Sequence, residues 1–397
     1  MSKNLLPING DKHLAIDATN IISGGGLTHL SKLLEKYSPG LTGVKKITIW
    51  SNETTAHALP NYSWLVKKTP FWAAGNLFVR FFSQQLFLVN SIKKEGCHVL
   101  FSPGGTIPFR CSLPVITMSQ NMLPFQKNEA NHFGKYSFMR IKMWLLRHVQ
   151  GQSFKRANGV VFLTNYADKF ISEFLKVDFN QKVTIPHGVE PRFFQKPRPQ
   201  RSIFSYSNQE PFRLMYVSIL MPYKHQCEIA SAVKVLHDKG FNIEVRFVGA
   251  DWGWYGSKFL SLIKSLDPNH DFLLWNGFES FEELHTSYKN CDAFIFGSSC
   301  ENLPNILLEA MASSLPIVSS NYGPMPEVLG NSAVYFNPES VSSIANALHK
   351  ILQDEMLRKS LAKSSWENAQ QYSWERCAKD TFDFIYNIAN KTAIDNK

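Results

Sequence analysis

Two carboxylates, Glu301 and Glu309, stand eight positions apart in SSCENLPNILLEAMASSLPIVSS (residues 298–320), the second among Ile306, Leu307, Leu308 and Met311. The preceding CDAFIFG (291–297) reads as a buried strand and PNILLEAMA as the helix after it, with Pro304 in the first helical turn, where its missing N–H costs nothing. Glu301 then lies in a strand-to-helix loop at the carboxyl edge of a sheet, where open α/β sheets bind ligands. Backbone N–H groups around residues 302 to 305 (Pro304 has none) point into the same space and suit a phosphate or sugar oxygen. Asn305, Glu309 and Ser313 recur at i, i+4 and i+8 and form one polar stripe. Carboxylates only accept hydrogen bonds, so this pair matches hydroxyls and repels phosphate. A nucleotide sugar, with a phosphate at the helix start and hydroxyls on both sides, meets both demands. An ordinary amphipathic helix with a solvated stripe and a glutamate in its loop fits the same residues.

The elements that must position this pair are legible as apolar, β-branched runs alternating with helix-length segments. In the first half the strands expected are 13–17, 47–50, 98–101, 114–118, 159–163 and 182–186; in the second, 213–219, 243–249, 272–277, 291–297, 315–320 and 332–336. Short apolar strands separated by helices imply parallel sheets covered on both faces. Two such series imply an α/β protein of two Rossmann-like, doubly wound domains. The domains expected are 1–195 and 212–371, joined by the Pro-, Ser- and Asn-rich linker 196–211, with 372–397 forming a terminal helix that packs back on the first domain. A glycine loop, SGGG (23–26), follows the first strand and precedes a helix. Its glycines let backbone approach a phosphate or sugar, although a plain flexible loop has the same composition and the spacing is not GxGxxG.

Composition narrows the class. With 397 residues, 44% hydrophobic and 19% charged, the chain suits two globular domains. The opening MSKNLLPINGDKHLAID holds no apolar stretch of signal-peptide length. The longest apolar candidate, Phe71 to Ile92, is interrupted by Arg80, Gln84, Gln85 and Asn90 and is not read as a membrane span. Six cysteines without a CxxC read as reduced thiols in a cytosolic protein. The net charge of +10 is uneven: residues 1–195 carry 23 Lys/Arg against 10 Asp/Glu, and residues 196–397 carry 19 against 22. The basic half is expected to meet something anionic. Two of its segments, 71–94 and 132–156, mix aromatics with cations that include Lys135, Arg140, Lys142 and Arg147. Both suit helices lying on an anionic leaflet, and equally core helices whose cations reach solvent.

ENLPNILLEAMASSLPIV resembles the E-x7-E segment of retaining glycosyltransferases of family four, which have the GT-B fold of two Rossmann-like domains facing a cleft. YVSILMPYKHQ, FVGADWGWY, LLWNGFESFEELHTSYKNCDAFIFGSSCENLPN, SNYGPMPEVLG and YSWE extend the likeness through the second half, and ISGGGLTHL, FLTNYADKFI and IPHGVEPRFF thinly through the first. The resemblance implies that Glu309 binds donor ribose hydroxyls and Glu301 faces the transferred sugar. It implies that Asn302, Leu303, Pro304 and Asn305, with Gly24, Gly25, Gly26 and Phe278, line the donor. Lys224 in PYKHQ fits the family's lysine that neutralises the leaving pyrophosphate, though a surface lysine at a helix start reads the same way. The arginine expected five residues earlier is Ile219, a departure that His225 or Arg213 would have to make good. Where the family often has His-Asp, this chain has Gln120 and Asn121. An amide can bind a sugar or present its carbonyl to a developing oxocarbenium, but is no general base at neutral pH. Gly104 and Gly105 in FSPGG face the acceptor side with Asn121, and His187 stands where the family has Asn, as a structural or cleft-lining group.

The expectation is therefore a retaining hexosyl- or N-acetylhexosaminyltransferase acting on a lipid-linked bacterial surface glycan, such as O-antigen, capsule or exopolysaccharide. No Asp-x-Asp occurs, so no metal ion and no cofactor are expected. The partners expected are a nucleotide sugar, a glycan or lipid-linked acceptor and an anionic membrane surface at the cytoplasmic face of the inner membrane, with no nucleic acid. The rivals are a GT-B nucleotide-sugar 2-epimerase, which needs no acceptor, and a basic nucleic-acid binder, which needs base-stacking aromatics or a recognition helix.

Overall fold

The computed structural model describes residues 11–40, 42–134, 137–251 and 253–395. The first ten residues and Lys135 lie outside the described residues. Contacts divide the chain into two compact units, one of Met1–Phe125, Lys142–Gly188 and Trp374–Lys397, the other of Gln126–Ile141 and Val189–Ser373.

The first unit holds seven strands: β1 (Lys12–Asp17), β2 (Val44–Trp50), β3 (Leu65–Lys68), β4 (Val99–Ser102), β5 (Val115–Met118), β6 (Gly159–Phe162) and β7 (Lys182–Thr184). Their order is β3-β2-β1-β4-β5-β6-β7 and every pairing is parallel. Every residue of β4, β5 and β6 is buried, as befits strands covered on both faces. The C-terminal helix Trp374–Asp395 belongs to this unit and packs on the first helix, Gly25–Glu35, and on β4 and β6.

The second unit holds β8 (Phe212–Val217), β9 (Ile243–Val248), β10 (Leu273–Trp275), β11 (Ala293–Phe296), β12 (Ile317–Ser320) and β13 (Ala333–Phe336), in the order β10-β9-β8-β11-β12-β13, again all parallel. The expected fold class holds, with two doubly wound parallel sheets. Each sheet changes winding direction once, between β1 and β4 and between β8 and β11. At such a switch the loops leaving the carboxyl ends of two adjacent strands part in opposite directions and open a crevice.

Three local differences from the sequence reading have physical causes. Leu65–Lys68 is an edge strand that its lysines hide; the Lys67 ammonium is satisfied by the carbonyls of Ala56 (2.8 Å) and Leu59 (2.7 Å). Segment 71–94 is a 3-10 turn (Phe71–Ala74), then a helix (Leu77–Ser83) that passes through a π turn (Gln84–Leu88) into Val89–Lys94. The π turn brings fully buried Gln84 inward, where its amide nitrogen donates to Asp17 Oδ2 and, at 3.2 Å, to Thr106 O. Pro304 caps its helix from outside with φ −78° and ψ 112°, and helical geometry begins at Asn305.

Candidate functional site

In the second unit the crevice between β8 and β11 is built by two loops that hold each other. Ser299 N donates to Tyr223 O (2.9 Å), and Tyr216 Oη, from within β8, donates to Lys224 O (2.7 Å). Gly297 makes this approach possible, since a Cβ there would stand 2.7 Å from Ile229 Cδ1 and 3.1 Å from Lys224 O. The result carries Lys224, at the end of the 3-10 turn Pro222–Lys224, against Glu301 on the opposite loop. Lys224 Nζ forms an ion pair with Glu301 Oε1 while lying 5.1 Å from the centre of the Tyr223 ring and 5.8 Å from that of Phe296. Lys224 is buried, so it is not a surface lysine.

Glu309 lies one turn into the helix Asn305–Ala312 and is only 6% exposed. Its Oε2 accepts from Tyr288 Oη at 3.2 Å. Burial lifts its carboxyl to about 7, with the Tyr288 hydrogen bond and nearby Arg192 pulling the other way. Arg192 is held over the Phe281 ring at 4.2 Å and pairs with Glu190 at 3.3 Å. Ser313 Oγ donates to Phe193 O (3.2 Å). The stripe of Asn305, Glu309 and Ser313 is therefore no solvated face: two of its members are buried, and Asn305 Oδ1 is shielded without a partner among the described residues. A shielded carboxylate with one oxygen taken and an unpaired amide oxygen beside it can accept two further hydrogen bonds.

Asn302, Leu303 and Pro304 are buried in the turn between Glu301 and the helix. Phe278 is 76% exposed on the loop after β10, two strands from β8, next to Gly277, whose carbonyl accepts from Gly249 N (2.7 Å) on the loop after β9. Neither candidate replaces the cation missing at Ile219. Arg213 lies near the amino end of β8, the edge opposite to Lys224, and pairs with Glu244 (3.5 Å). His225 is buried, bonded through Nε2 to Ser299 Oγ (3.1 Å), and pushed down to about 4 by burial and by His132, so it is neutral near pH 7.

The structure adds groups that the sequence reading missed. Ser299 Oγ donates to Glu129 Oε2 at 2.7 Å, across 170 residues of sequence. Burial raises the carboxyl of Glu129 against that hydrogen bond. Tyr288 and Arg192 frame Glu309. The motifs above contain Tyr288 and Arg192 but give neither a partner, and no local pattern marks Glu129.

In the first unit the loops after β1 and β4 flank the other switch point. Gly24 has φ 69° and caps the first helix, with nothing within 4 Å of a Cβ placed on it, and Gly25 opens the helix. At Gly26 the missing Cβ leaves room for Gln120 Oε1, which would be 2.9 Å away. Gly105, at φ 79°, leaves the same room for Gln150 Nε2 (2.9 Å), and a Cβ on Gly104 would touch only Asn20. Asn121 is exposed, and its Oδ1 accepts from Leu123 N (3.0 Å), closing a local turn. His187 packs on His29 at 4.6 Å between ring centres and on Trp374 at 5.6 Å; burial pushes it down to about 3, so it is a neutral internal group.

These two sheets and their switch-point loops define a GT-B architecture, the arrangement of sucrose-phosphate synthase from Thermosynechococcus elongatus (TM-score 0.75, 15% identity, covering 97% of this chain and 100% of that one). Residues 200–368 match the family model described as Glycosyl transferases group 1. Curated relatives include the O-antigen chain mannosyltransferase B of Escherichia coli, 28% identical over 33% of this chain and 34% of that protein. The serotype-specific mannosyltransferase WbdA of Escherichia coli is 21% identical over 70% of this chain and 33% of that protein. The chain spans about a third of the length of these two relatives.

Proposed function

We propose that this protein is a retaining, metal-independent glycosyltransferase that moves a hexosyl or N-acetylhexosaminyl unit from a nucleotide sugar to a hydroxyl of a growing, lipid-linked bacterial surface glycan. The observation that carries the reading is the ion pair of buried Lys224 with half-buried Glu301 at the carboxyl ends of β8 and β11, with the shielded carboxylate of Glu309 one helical turn behind. The two mannosyltransferase relatives support a surface polysaccharide as acceptor and make a mannosyl nucleotide the first donor to try.

In this reading Glu309 accepts from the ribose hydroxyls and Glu301 from the transferred sugar. Asn302, Leu303 and Asn305 offer backbone N–H groups to the diphosphate and Pro304 shapes the turn. The bond from C1 to the diphosphate breaks, the acceptor oxygen bonds C1 from the same face, and the acceptor proton passes to the departing β-phosphate. Lys224 and the helix start hold the charge that develops there, a stabilisation commonly contributing ~3 kcal/mol or more. With Ile219 in place of an arginine, Lys224 supplies more of that stabilisation. Gln120 is assigned to the reacting carbons, Asn121, Gly104 and Gly105 to the acceptor side, and the glycines 24–26 and Phe278 to the donor.

The test is incubation of candidate nucleotide sugars with lipid-linked acceptors, with the anomeric configuration of the product read by NMR. Configuration equal to the donor's, activity unaffected by chelator and a turnover in Lys224→Met lowered by ~100-fold or more are expected. An inverted product refutes retention, chelator sensitivity refutes metal independence, and an epimerised nucleotide sugar without acceptor refutes transfer.

We also propose peripheral contact with an anionic membrane at the cytoplasmic face. No helix among the described residues is long and apolar enough to cross a bilayer. The segment 71–94 nevertheless exposes Phe71 (88%), Phe78, Phe82, Leu86 (63%) and Phe87 and ends in Lys93 and Lys94, a composition that supports interfacial binding.

A further inference from the structure

His29 lies on the second turn of the helix that begins at Gly25 and is fully buried. Its Nδ1 is 3.3 Å from the side-chain nitrogen of Gln120, and its Nε2 faces Cys377 Sγ at 3.9 Å. The same Gln120 nitrogen lies 3.3 Å from Met118 Sδ. With its nitrogen on this edge the Gln120 amide donates to Met118 Sδ, which can only accept, and takes Nδ1 of His29 as its second acceptor. The imidazole proton then sits on Nε2, toward a thiol that burial keeps protonated, its pKa pushed up to about 12. His29 itself is held neutral by burial and by the neighbouring His187. With its nitrogen fixed on that side, Gln120 aims its carbonyl oxygen over Gly26, where the missing Cβ leaves space for it. His187, 4% exposed and with neither ring nitrogen partnered among the described residues, packs against His29 with ring centres 4.6 Å apart.

We propose that His29 is a positioning residue that, as its neutral Nε2–H form, locks the Gln120 amide so that its carbonyl oxygen accepts a hydrogen bond from a sugar hydroxyl at the loop of glycines 24–26. The assignment rests on the glycosyltransferase reading for its ligand but not for its geometry. A flipped amide would present N–H groups instead, which a hydroxyl meets only by turning its own lone pair, and a glycosyl centre gaining positive charge would then face donors.

Two measurements test it. Nitrogen-15 spectra of histidine-labelled protein read the tautomer without any activity: a bare Nδ1 and protonated Nε2 at His29 are expected, and the Nδ1–H form overturns the proposal. This outcome is independent of whether the transferase reading is right. In kinetics, His29→Leu is expected to lower kcat at least tenfold while leaving the Kd for the nucleoside diphosphate unchanged. His29→Asn, whose amide oxygen can stand near the Nδ1 position, is expected to recover most of that loss. Gln120→Leu is expected to match His29→Leu, and the double variant to lose nothing more. Multiplying losses, or wild-type turnover in His29→Leu, overturn the coupling. Should His29→Leu fail to fold in a thermal melt, Gly26→Ala displaces the same carbonyl from the opposite side and is expected to give the same kcat loss; wild-type turnover there overturns the proposal too.

Discussion

Glu309 is the residue at which the proposed chemistry and the stability of the fold meet. Burial moves its carboxyl from 4.5 to about 7. Between those values the native state keeps a proton that the unfolded chain has lost, so stability falls as pH rises through the interval. Above pH 7 both states are ionised and the whole cost, roughly 3 kcal/mol at about 1.4 kcal/mol per pH unit, remains. Hydroxyl donors favour the ionised form, so nucleotide binding must release that proton. Nucleotide affinity is expected to climb as pH rises from 6 to 7.5 and then level, as isothermal titration would record. In Glu309→Gln the affinity is expected to drop at least tenfold and to lose this pH dependence. The same variant is expected to melt higher than the wild type at pH 8 but not at pH 4.5. A wild-type pH profile of affinity in Glu309→Gln would remove Glu309 from the site. None of this was visible locally: the sequence marked a carboxylate on a polar stripe, and only the packing of Tyr288 and Arg192 showed the stripe to be buried.

At the scale of elements, the loops after β8, β9 and β10 are pinned to one another. Gly249 N donates to Gly277 O at 2.7 Å, and Gly249 takes φ 148°, a conformation that side chains oppose. A Cβ there would lie 2.0 Å from Ser218 O, closer than atoms can approach. Gly249→Ala is expected to destabilise the protein by about 2–4 kcal/mol in urea unfolding and to weaken nucleotide binding, because the loop that leads to Lys224 must move. A variant with unchanged midpoint and unchanged affinity would show that the β8 loop is not held this way. The strands themselves were legible, since buried parallel strands are continuous apolar runs. β3 was not, because an edge strand can carry lysines whose ammonium groups find carbonyls outside the sheet.

For the chain as a whole, charge and exposed aromatic surface both favour the first half as the anionic contact, with 23 Lys/Arg against 10 Asp/Glu in residues 1–195. Pelleting with anionic liposomes at low salt is expected, with little on zwitterionic ones and a steep decline as salt is raised. Replacing Phe78, Phe82 and Phe87 together by Ser is expected to reduce binding by an order of magnitude or more, since burying each aromatic contributes roughly 2 kcal/mol. Equal pelleting on neutral vesicles, or none at low salt, would rule the membrane surface out.

The sequence alone determined the two series of parallel strands, the place of Glu301 in a strand-to-helix loop and the glycines at the start of the first helix. These are local properties, written in hydrophobic runs and turn residues a few positions apart. It left open which polar groups meet. Lys224 finds Glu301 across 77 residues, His29 finds Gln120 across 91 and Glu129 finds Ser299 across 170. Strand order within each sheet brings the first two pairs together, and Glu129 reaches Ser299 from the segment Gln126–Ile141, which packs with the second unit. That packing also removes such residues from water, which is what turns an ordinary lysine, glutamate or glutamine into a group with one direction and one partner.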